Sequence, residues 1–452
     1  MASVRVALKH DGSHDAPEAV FYVIHSFVFD VDLIIDTNAK ESRTLRLLNK
    51  HTMTLRVDFT SQNFFRDPAA AIERLRAAGP VVQVKLPIMG RVWMTTTQEM
   101  ASRVLKDNRV FSLRNDDGTV AGLRWWMPSI FRAFTKSMLS VDEPDHTRLR
   151  CIVEEAFRRR AVLDMEPRIR AIANELAGDL FAQGSPADLV TRYARVLPLS
   201  VICELLGLPL ADRSKFMAWA GRATSVASVT GFLRMVPNFV AMKRYLEQRL
   251  EHARKVGGEG LIAELVQVEK EGAPITREEL VAMVFLLLLA GHETTTHLIS
   301  GSVFELTKNP ELRNWLEEDW SRADLAIEEF LRYVSPVQFS KPRFVRQDMD
   351  LDGVRLKSGD QIVAMLVAAN MDPSANVLPE KLDLERRPNR HIAFGTGIHF
   401  CLGHQLARLE GTCALETLYA RWPKLRLAVE PGQIRWRSRP GIRAIISLPV
   451  TA

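Results

Sequence analysis

The stretch that decides the fold is residues 391–410, HIAFGTGIHFCLGHQLARLE. Three glycines, Gly395, Gly397 and Gly403, surround a single cysteine, Cys401, and the segment after it has the apolar spacing of a helix. The pattern predicts a tight loop that delivers a cysteine to the start of a helix.

Such a placement favours a thiolate. A helix N-terminus carries partial positive charge and unpaired N–H groups, which stabilise an anionic sulfur and lower its pKa. A lone thiolate suits a single axial bond to a haem iron. Zinc would need further cysteines or histidines at ligand spacing, and the loop has none. Taken alone, the loop is equally compatible with a plain turn around a small buried hydrophobe.

The same loop resembles the haem-binding signature of the cytochrome P-450 family of haem-thiolate monooxygenases. The matching positions are Phe394, Gly395, Gly397, His399, Cys401 and Gly403. The resemblance extends from about residue 59 to the C-terminus. It implies a mainly α fold with a smaller β portion (α+β), in which haem lies between a long central helix and the cysteine-loop helix.

The composition is that of an ordinary globular protein, with 47% hydrophobic and 25% charged residues among 452. The net charge is +6, but basic and acidic residues are mixed, so no nucleic-acid partner is expected. The run from Arg158 to Arg160 is either a solvated face or a docking surface for an acidic electron-transfer protein.

The cysteines indicate a reducing compartment. None of the four shows paired spacing, so we expect neither a disulfide framework nor a zinc cluster. We therefore expect a cytoplasmic protein. They are Cys151, Cys203, Cys401 and Cys413.

Residues 1–52 match nothing in the family pattern, and we treat them as an extension ahead of a cytochrome P-450 domain at 53–452. Residues 19–29 are apolar, but His25 and nearby acids make the segment too short and too charged for a membrane span or anchor. One hypothesis is that Met53 is the natural start, which peptides from residues 1–52 in the native protein would contradict.

A long helix precedes the cysteine loop. Thr276 and Glu279 form a capping box, and the apolar pattern predicts a helix as far as about Lys308, ended by Asn309 and Pro310. Its stretch VAMVFLLLLA is apolar on every side, which indicates burial in the centre of the molecule. The threonines that follow, in AGHETTTH, can bond carbonyls one turn back and bend the helix into a groove.

Glu293 and Thr294 place a carboxylate beside a hydroxyl on that helix. Reduction of dioxygen consumes protons in a site that otherwise excludes water, and such a pair can deliver them. The two residues match the acid–alcohol pair of the family, so the resemblance implies that they are catalytic. Without the cysteine loop, a packed threonine and a satisfied buried acid would explain them.

Several residues are candidates for binding the cofactor. His146 and Arg150 lie four apart on one helical face, where donors suit a haem propionate, although a solvated pair is the alternative. The resemblance adds Arg343 and His399 as propionate ligands, and Ala290 as a further cofactor contact.

The irregular segment 111–135, and Val337 a short distance ahead of Arg343, are candidate substrate contacts. By resemblance, the pocket residues would be Phe111, Trp125, Trp126, Met127 and Val337. Core packing of the aromatic residues is the alternative.

Glu329 and Arg332 in EEFLRY resemble the structural ion pair of the family, with a role in folding. The family commonly completes this network with an arginine, and the aligned position here is Lys381. Lysine lacks the planar fork of arginine. Either the network is weaker for this reason, or Arg386 or Arg387 takes the place of the missing arginine.

The rest of the pattern predicts a helix from Asp67 to Gly79, then a hairpin of VVQVKL and RVWMTT. Strands are predicted near residues 343–345, 349–351 and 361–366.

The resemblance implies a soluble, monomeric, bacterial-type enzyme with non-covalent haem b and Cys401 as the metal ligand. It would insert one oxygen atom from O2 into a small lipophilic substrate, such as a terpenoid-like compound, steroid, fatty acid or polyketide. Electrons would come from NAD(P)H through a ferredoxin or flavodoxin and its reductase. The alternatives are a peroxide-driven peroxygenase, a nitric-oxide-reducing member, and a haem-binding sensor without turnover.

Overall fold

The computed structural model describes residues 56–86, 89–121, 135–159, 162–212, 214–216, 218–219 and 229–452. Within these ranges helices dominate and short strands form the smaller part, which confirms the α+β class. Four predictions lie outside the described residues: the N-terminal extension, the pocket residues Trp125, Trp126 and Met127, the turn of the first hairpin, and the side chains of the run Arg158 to Arg160.

Thirteen α-helices lie in the described part of the chain. They are α1 (Gln62–Arg66), α2 (Ala69–Ala78), α3 (Gln98–Lys106), α4 (Asp145–Arg159), α5 (Glu166–Asp179), α6 (Val196–Leu206), α7 (Val229–Val256), α8 (Leu261–Lys270), α9 (Arg277–Lys308), α10 (Pro310–Glu318), α11 (Ala323–Val334), α12 (Leu366–Asn370) and α13 (His404–Arg421). A π-helical turn, Val190–Ala194, precedes α6.

The described strands form three small sheets. The strands are β1 (Val81–Leu86), β2 (Gly90–Thr95), β3 (Phe111–Ser112), β4 (Ala187–Asp188), β5 (Arg343–Val345), β6 (Met349–Leu351), β7 (Val354–Leu356), β8 (Gln361–Val363), β9 (Arg426–Leu427) and β10 (Pro449–Thr451). Their orders are β1-β2-β8-β5-β3, β4-β10-β9 and β6-β7. In the first sheet β2 and β8 run parallel, and the other neighbours are antiparallel.

Most of the elements expected from the sequence are found. The hairpin pairs Val81 with Thr95, and α2 ends at Ala78 ahead of Gly79. Strands β5 and β6 have the predicted bounds, but the third predicted strand is shorter, since β8 ends at Val363 and the chain then turns into α12.

Helix α9 is the central element of the core. The capping box of Thr276 and Glu279 is present, and the helix runs to Lys308 as expected. It contacts α6, α7, α11 and α13, so that its apolar residues are covered on several sides. By length and composition α9 could cross a membrane, but most of its apolar stretch is buried inside the molecule.

A buried ion-pair network fixes α11 beside the loop that leads to Cys401. Glu329 and Arg332 are both fully buried, and two parallel N–H···O bonds of 2.7 Å join them. Arg386 donates to the same carboxylate at 3.1 Å, whereas Lys381 contributes only its backbone carbonyl. Arg386 therefore takes the place of the arginine that the aligned position lacks.

Candidate functional site

A cavity of about 410 Å³ lies between α9, α4, the cysteine loop and the segment before β5. Its walls are mainly apolar, from residues such as Leu105, Leu113, Met138, Leu139, Leu286, Leu287, Phe339 and Leu366. All but one of the predicted catalytic and cofactor-binding residues line it: His146, Arg150, Ala290, Thr294, Arg343, Phe394, Gly395, His399, Cys401 and Gly403. The exception is Glu293.

The loop carrying Cys401 is held by its own backbone. The Gly395 N–H donates to the Ile392 carbonyl at 2.9 Å, and the Cys401 N–H donates to the Phe394 carbonyl at 3.0 Å. Gly395 and Gly397 have φ of 70° and 76°, values that disfavour any residue with a side chain. At Gly397 a Cβ would also lie 2.4 Å from the carbonyl oxygen of Leu105. These contacts fix the sulfur at the floor of the cavity.

The thiol itself does not have the low pKa that its position suggested. Burial raises the pKa of Cys401, and the Gly403 N–H and the charges of Arg150 and Arg408 only partly oppose this. Gly403 is the cap residue of α13, so the helix start does reach the sulfur. Desolvation is the larger effect here, and a stable thiolate needs the charge of a bound metal ion.

The end of the cavity near β5 is rich in basic groups. Arg343 is buried and donates to the Phe111 carbonyl at 3.2 Å, and burial lowers its pKa to about 10. Burial, together with the positive charges of Arg343 and neighbouring groups, lowers the pKa of His399 to about 3. The His399 Nε2 atom is buried and has no hydrogen-bond partner in the part of the chain that the structure describes.

His146 and Arg150 approach the same region from α4. The rings of His146 and His399 are 4.4 Å apart, and the His146 Nδ1 is 3.7 Å from Glu143, beyond hydrogen-bond distance. Arg150 donates to the Phe400 carbonyl at 2.8 Å, so it links α4 to the cysteine loop. The two residues thus line the cavity from one helix, as their spacing indicated.

Lys341 also lies at this end of the cavity, although it was not among the residues predicted from the sequence. Its amino group donates to the Ser140 hydroxyl at 2.7 Å, and burial lowers its pKa to about 8. Among the described residues, neither Lys341 nor Arg343 has a carboxylate at ion-pair distance. The signal was present in the sequence, because residues two apart in an extended segment point to the same side.

Thr294 and Glu293 lie on different sides of α9. The Thr294 hydroxyl donates to the Ala290 carbonyl at 2.9 Å and borders the cavity. Adjacent helical residues point about 100° apart, and Glu293 instead accepts a hydrogen bond of 2.9 Å from Arg439. Burial opposes ionisation of Glu293, but the charge of Arg439 and those of neighbouring residues hold its pKa below the usual value.

The predicted substrate contacts are only partly brought together. Val337 lines the cavity. The prediction for Phe111 is wrong, because its side chain is fully buried beside the first sheet with Trp93 and Val345. As a β3 residue it pairs with Val345, so its carbonyl and not its ring is near the site.

Comparisons with known proteins agree with this geometry. A family model described as Cytochrome P450 matches residues 239–422. A vitamin D(3) 25-hydroxylase from Pseudonocardia autotrophica is 38% identical over 88% of this chain and 97% of its own length. The chain belongs to the cytochrome P450 family. It is accordingly an oxidoreductase of the monooxygenase class.

Two further cytochromes P450 support the assignment. The cytochrome P450 monooxygenase PikC of Streptomyces venezuelae is 36% identical over 86% of this chain and 92% of its own. A myxobacterial cytochrome P450 solved in complex with myristic acid superposes with a TM-score of 0.80 at 36% identity, over 87% of this chain and 98% of that chain. The chain therefore has the cytochrome P450 fold.

The residues of the cavity fit the haem that this family carries. Cys401 supplies a soft sulfur donor at the floor, and the cavity extends from it to Thr294 on α9. Within the described residues, His399 Nε2 has no hydrogen-bond partner and Lys341 and Arg343 have no carboxylate partner, so these groups suit an anionic edge. Nothing within 4 Å would meet a Cβ built on Gly395 or Gly403, so the loop leaves room above the sulfur.

Proposed function

We propose that this enzyme is a haem-thiolate monooxygenase in which Cys401 would bind the haem iron through its sulfur and a lipophilic substrate would occupy the cavity. The observation that carries the proposal is the assembly around one space of a lone cysteine, mainly apolar walls and a basic end where, among the described residues, Lys341 and Arg343 have no carboxylate at ion-pair distance. Haem b would supply the redox centre at which dioxygen is reduced and an oxygen atom is transferred.

The basic residues hold the carboxylates of the cofactor in this proposal. Arg343 can form a planar, forked pair with a carboxylate, and His399, His146 and Arg150 can each donate one hydrogen bond. Burial and the repulsion among these groups lower the pKa of His399, and an anion here would relieve the repulsion. Phe394, Gly395, Gly403 and Ala290 provide the close, uncharged contacts on either side.

Thr294 and Glu293 handle protons. The Thr294 hydroxyl borders the cavity and can donate to, or accept from, a group bound above Cys401. Glu293 is ionised and bonded to Arg439, so it supplies a proton only after it takes one up and turns towards Thr294. The apolar walls keep bulk water from the reacting atoms, so protons reach them through these side chains.

For the substrate we propose a steroid-like or fatty-acyl compound. The vitamin D(3) hydroxylase and the myristic-acid complex are the relatives that support this class. In this proposal the electrons come from NAD(P)H through a ferredoxin or flavodoxin and a separate reductase. The enzyme works as a monomer in the cytoplasm.

The test is oxygen incorporation by the haem-loaded protein with NADPH, a surrogate ferredoxin and its reductase. Vitamin D3, testosterone, myristic acid and a macrolide are supplied in turn under 18O2, and mass spectrometry seeks a product that carries one 18O atom. Cys401→Ser should lose the haem-thiolate absorption and the product together. A product without 18O, or an unchanged spectrum in Cys401→Ser, would contradict the proposal.

A further inference from the structure

Lys341 is a cationic residue of the cavity wall to which the proposed function assigns no partner. The carboxylates of the cofactor are held by Arg343, His399, His146 and Arg150 in that proposal. Lys341 lines the same cavity, but within the described part of the chain its amino group contacts only neutral oxygens. Because charges in apolar surroundings are usually paired in proteins, this arrangement needs an explanation.

Other lysines of the described chain show the usual arrangement. The Nζ atom of Lys308 is 2.9 Å from a carboxylate oxygen of Glu305, and that of Lys357 is 2.6 Å from one of Asp348. The side chain of Lys357 is 57% exposed, so water could solvate its charge even without the acid. Lys341 borders mainly apolar walls and nevertheless has no such partner among the described residues.

The side chains of Lys341 and Arg343 start on the same side of the chain but reach different neighbours. Arg343 donates to the Phe111 carbonyl at 3.2 Å, which fixes it against the first sheet. Lys341 donates to the Ser140 hydroxyl at 2.7 Å and lies 3.4 Å from the Leu139 carbonyl. Leu139 is part of the apolar wall. The Lys341 amino group therefore lies beside that wall and not beside the sheet.

The acid that follows this turn is already occupied. One carboxylate oxygen of Asp142 accepts from the Leu113 N–H and the other from the Arg114 N–H, both at 2.9 Å. The Arg114 guanidinium donates to the Ser140 carbonyl at 3.1 Å, and its positive charge acts on Lys341. A further carboxylate in the cavity would therefore stabilise both cations.

The Lys341 amino group is charged and has hydrogen-bonding capacity left. Burial and the charge of Arg114 lower the pKa of Lys341 to about 8, so the protonated form still predominates at neutral pH. An ammonium group has three N–H donors. The Ser140 hydroxyl accepts one of them, and the Leu139 carbonyl is the more distant second acceptor. At least one donor therefore remains for a ligand in the cavity.

We propose that Lys341 is a specificity-determining residue that binds a carboxylate of the substrate, and that the enzyme prefers lipophilic carboxylic acids, such as fatty acids, to uncharged compounds. The inference rests on the proposed function and names the substrate class within it. The haem of that proposal also carries carboxylates. The chemistry that Lys341 recognises is thus common to two sources, and the experiment has to separate them.

A lipophilic acid satisfies both parts of the cavity. Its hydrocarbon chain would contact apolar walls such as Leu286 and Leu287 of α9, and its carboxylate would accept from Lys341. A hydrogen bond between two ions is shorter and stronger than one between an ion and a hydroxyl group. An alcohol of the same chain length would bury the same apolar area but leave the ammonium group without a counter-ion. Comparing the acid with the alcohol therefore isolates the contribution of Lys341.

The experiment measures the affinity of the haem-loaded ferric protein for decanoic acid and for 1-decanol at neutral pH. Titration calorimetry gives the affinities, and the haem spectrum is recorded in parallel. The variants are Lys341→Met, Lys341→Arg and the matched control Lys357→Met, in which an exposed lysine is replaced.

We expect the wild type and Lys357→Met to bind the acid about tenfold or more tightly than the alcohol, since hydrogen bonds to charged groups are the stronger ones. Lys341→Met should lose this preference by binding the acid more weakly, with its affinity for the alcohol within about twofold of the wild type. Lys341→Arg should keep the preference, because it keeps the positive charge.

Haem transfer to apomyoglobin separates the two sources of carboxylate. Lys341→Met should release haem within about twofold of the wild-type rate, and a release about ten times faster would assign the amino group to the cofactor and overturn the inference. Equal affinities of the wild type for acid and alcohol would also overturn it, as would an acid preference that survives in Lys341→Met. In each of these cases a haem-thiolate spectrum and an 18O-labelled product would leave the proposed function intact.

Discussion

Two basic regions of the molecule differ in how their charge is balanced. Around Glu329, Arg332 and Arg386 share one buried carboxylate, and the remaining guanidinium N–H groups donate to backbone carbonyls. At the end of the cavity, Arg343 and Lys341 have only neutral acceptors among the described residues. Buried charges in proteins are usually paired, so Arg343 and Lys341 suit the anionic ligand that we propose for this end of the cavity.

The largest effect should follow from removing an arginine from the buried network around Glu329. Arg332→Ala leaves the Glu329 carboxylate buried with too little positive charge, and we expect a loss of about 3–5 kcal/mol in the free energy of unfolding. Urea denaturation of the purified protein measures it. The control is Arg346→Ala, whose partner Asp116 is exposed, and it should lose less than about 1 kcal/mol. Equal losses in the two variants would show that burial of the pair is unimportant.

An intermediate effect should follow from replacing Arg343 at the basic end of the cavity. Arg343→Leu removes a buried charge without a carboxylate partner, so the cofactor-free protein should be at least as stable as the wild type. Haem should then transfer to apomyoglobin at least about ten times faster, equivalent to about 1.4 kcal/mol. Arg346→Leu, exposed at the end of β5, should change neither quantity. Haem transfer from Arg343→Leu at the wild-type rate would contradict the comparison.

The smallest effect concerns Lys381. Only its backbone carbonyl enters the Glu329 network, where it accepts from Arg332 at 2.8 Å and from Arg386 at 3.0 Å. Lys381→Met should therefore change the free energy of unfolding by less than about 0.5 kcal/mol in the same urea experiment. Arg386→Met should cost more, because it removes donors from the buried carboxylate. If Lys381→Met lowered the free energy of unfolding more than Arg386→Met, the lysine side chain would have the structural role.

The sequence predicted well what depends on local backbone chemistry. The capping box fixed the start of α9, and the glycines around Cys401 indicated the turns that the loop makes. The spacing of His146 and Arg150 placed both on one face of α4. Each of these signals spans a few residues, so that helix and turn geometry alone determines the result.

The predictions that failed or were missed depend on contacts between distant segments. The partner of Glu293 is Arg439, which is 146 residues further along the chain, and no local pattern indicates that a carboxylate on α9 meets this segment. The choice between Arg386 and Arg387 likewise depended on how the chain turns after Lys381. The pKa of Cys401 was misjudged because the helix start is a local feature, whereas burial is produced by the whole fold.

The contact between Gly397 and the end of α3 has a consequence for engineering. A Cβ at this position would lie 2.4 Å from the carbonyl oxygen of Leu105. The backbones of the cysteine loop and of the last turn of α3 therefore pack directly against each other, with no room for a side chain at residue 397. A loop transplanted from another protein would need the matching end of α3 to keep the sulfur in place. In chimaeric enzymes, these two segments should be taken from the same parent, although nearly three hundred residues separate them.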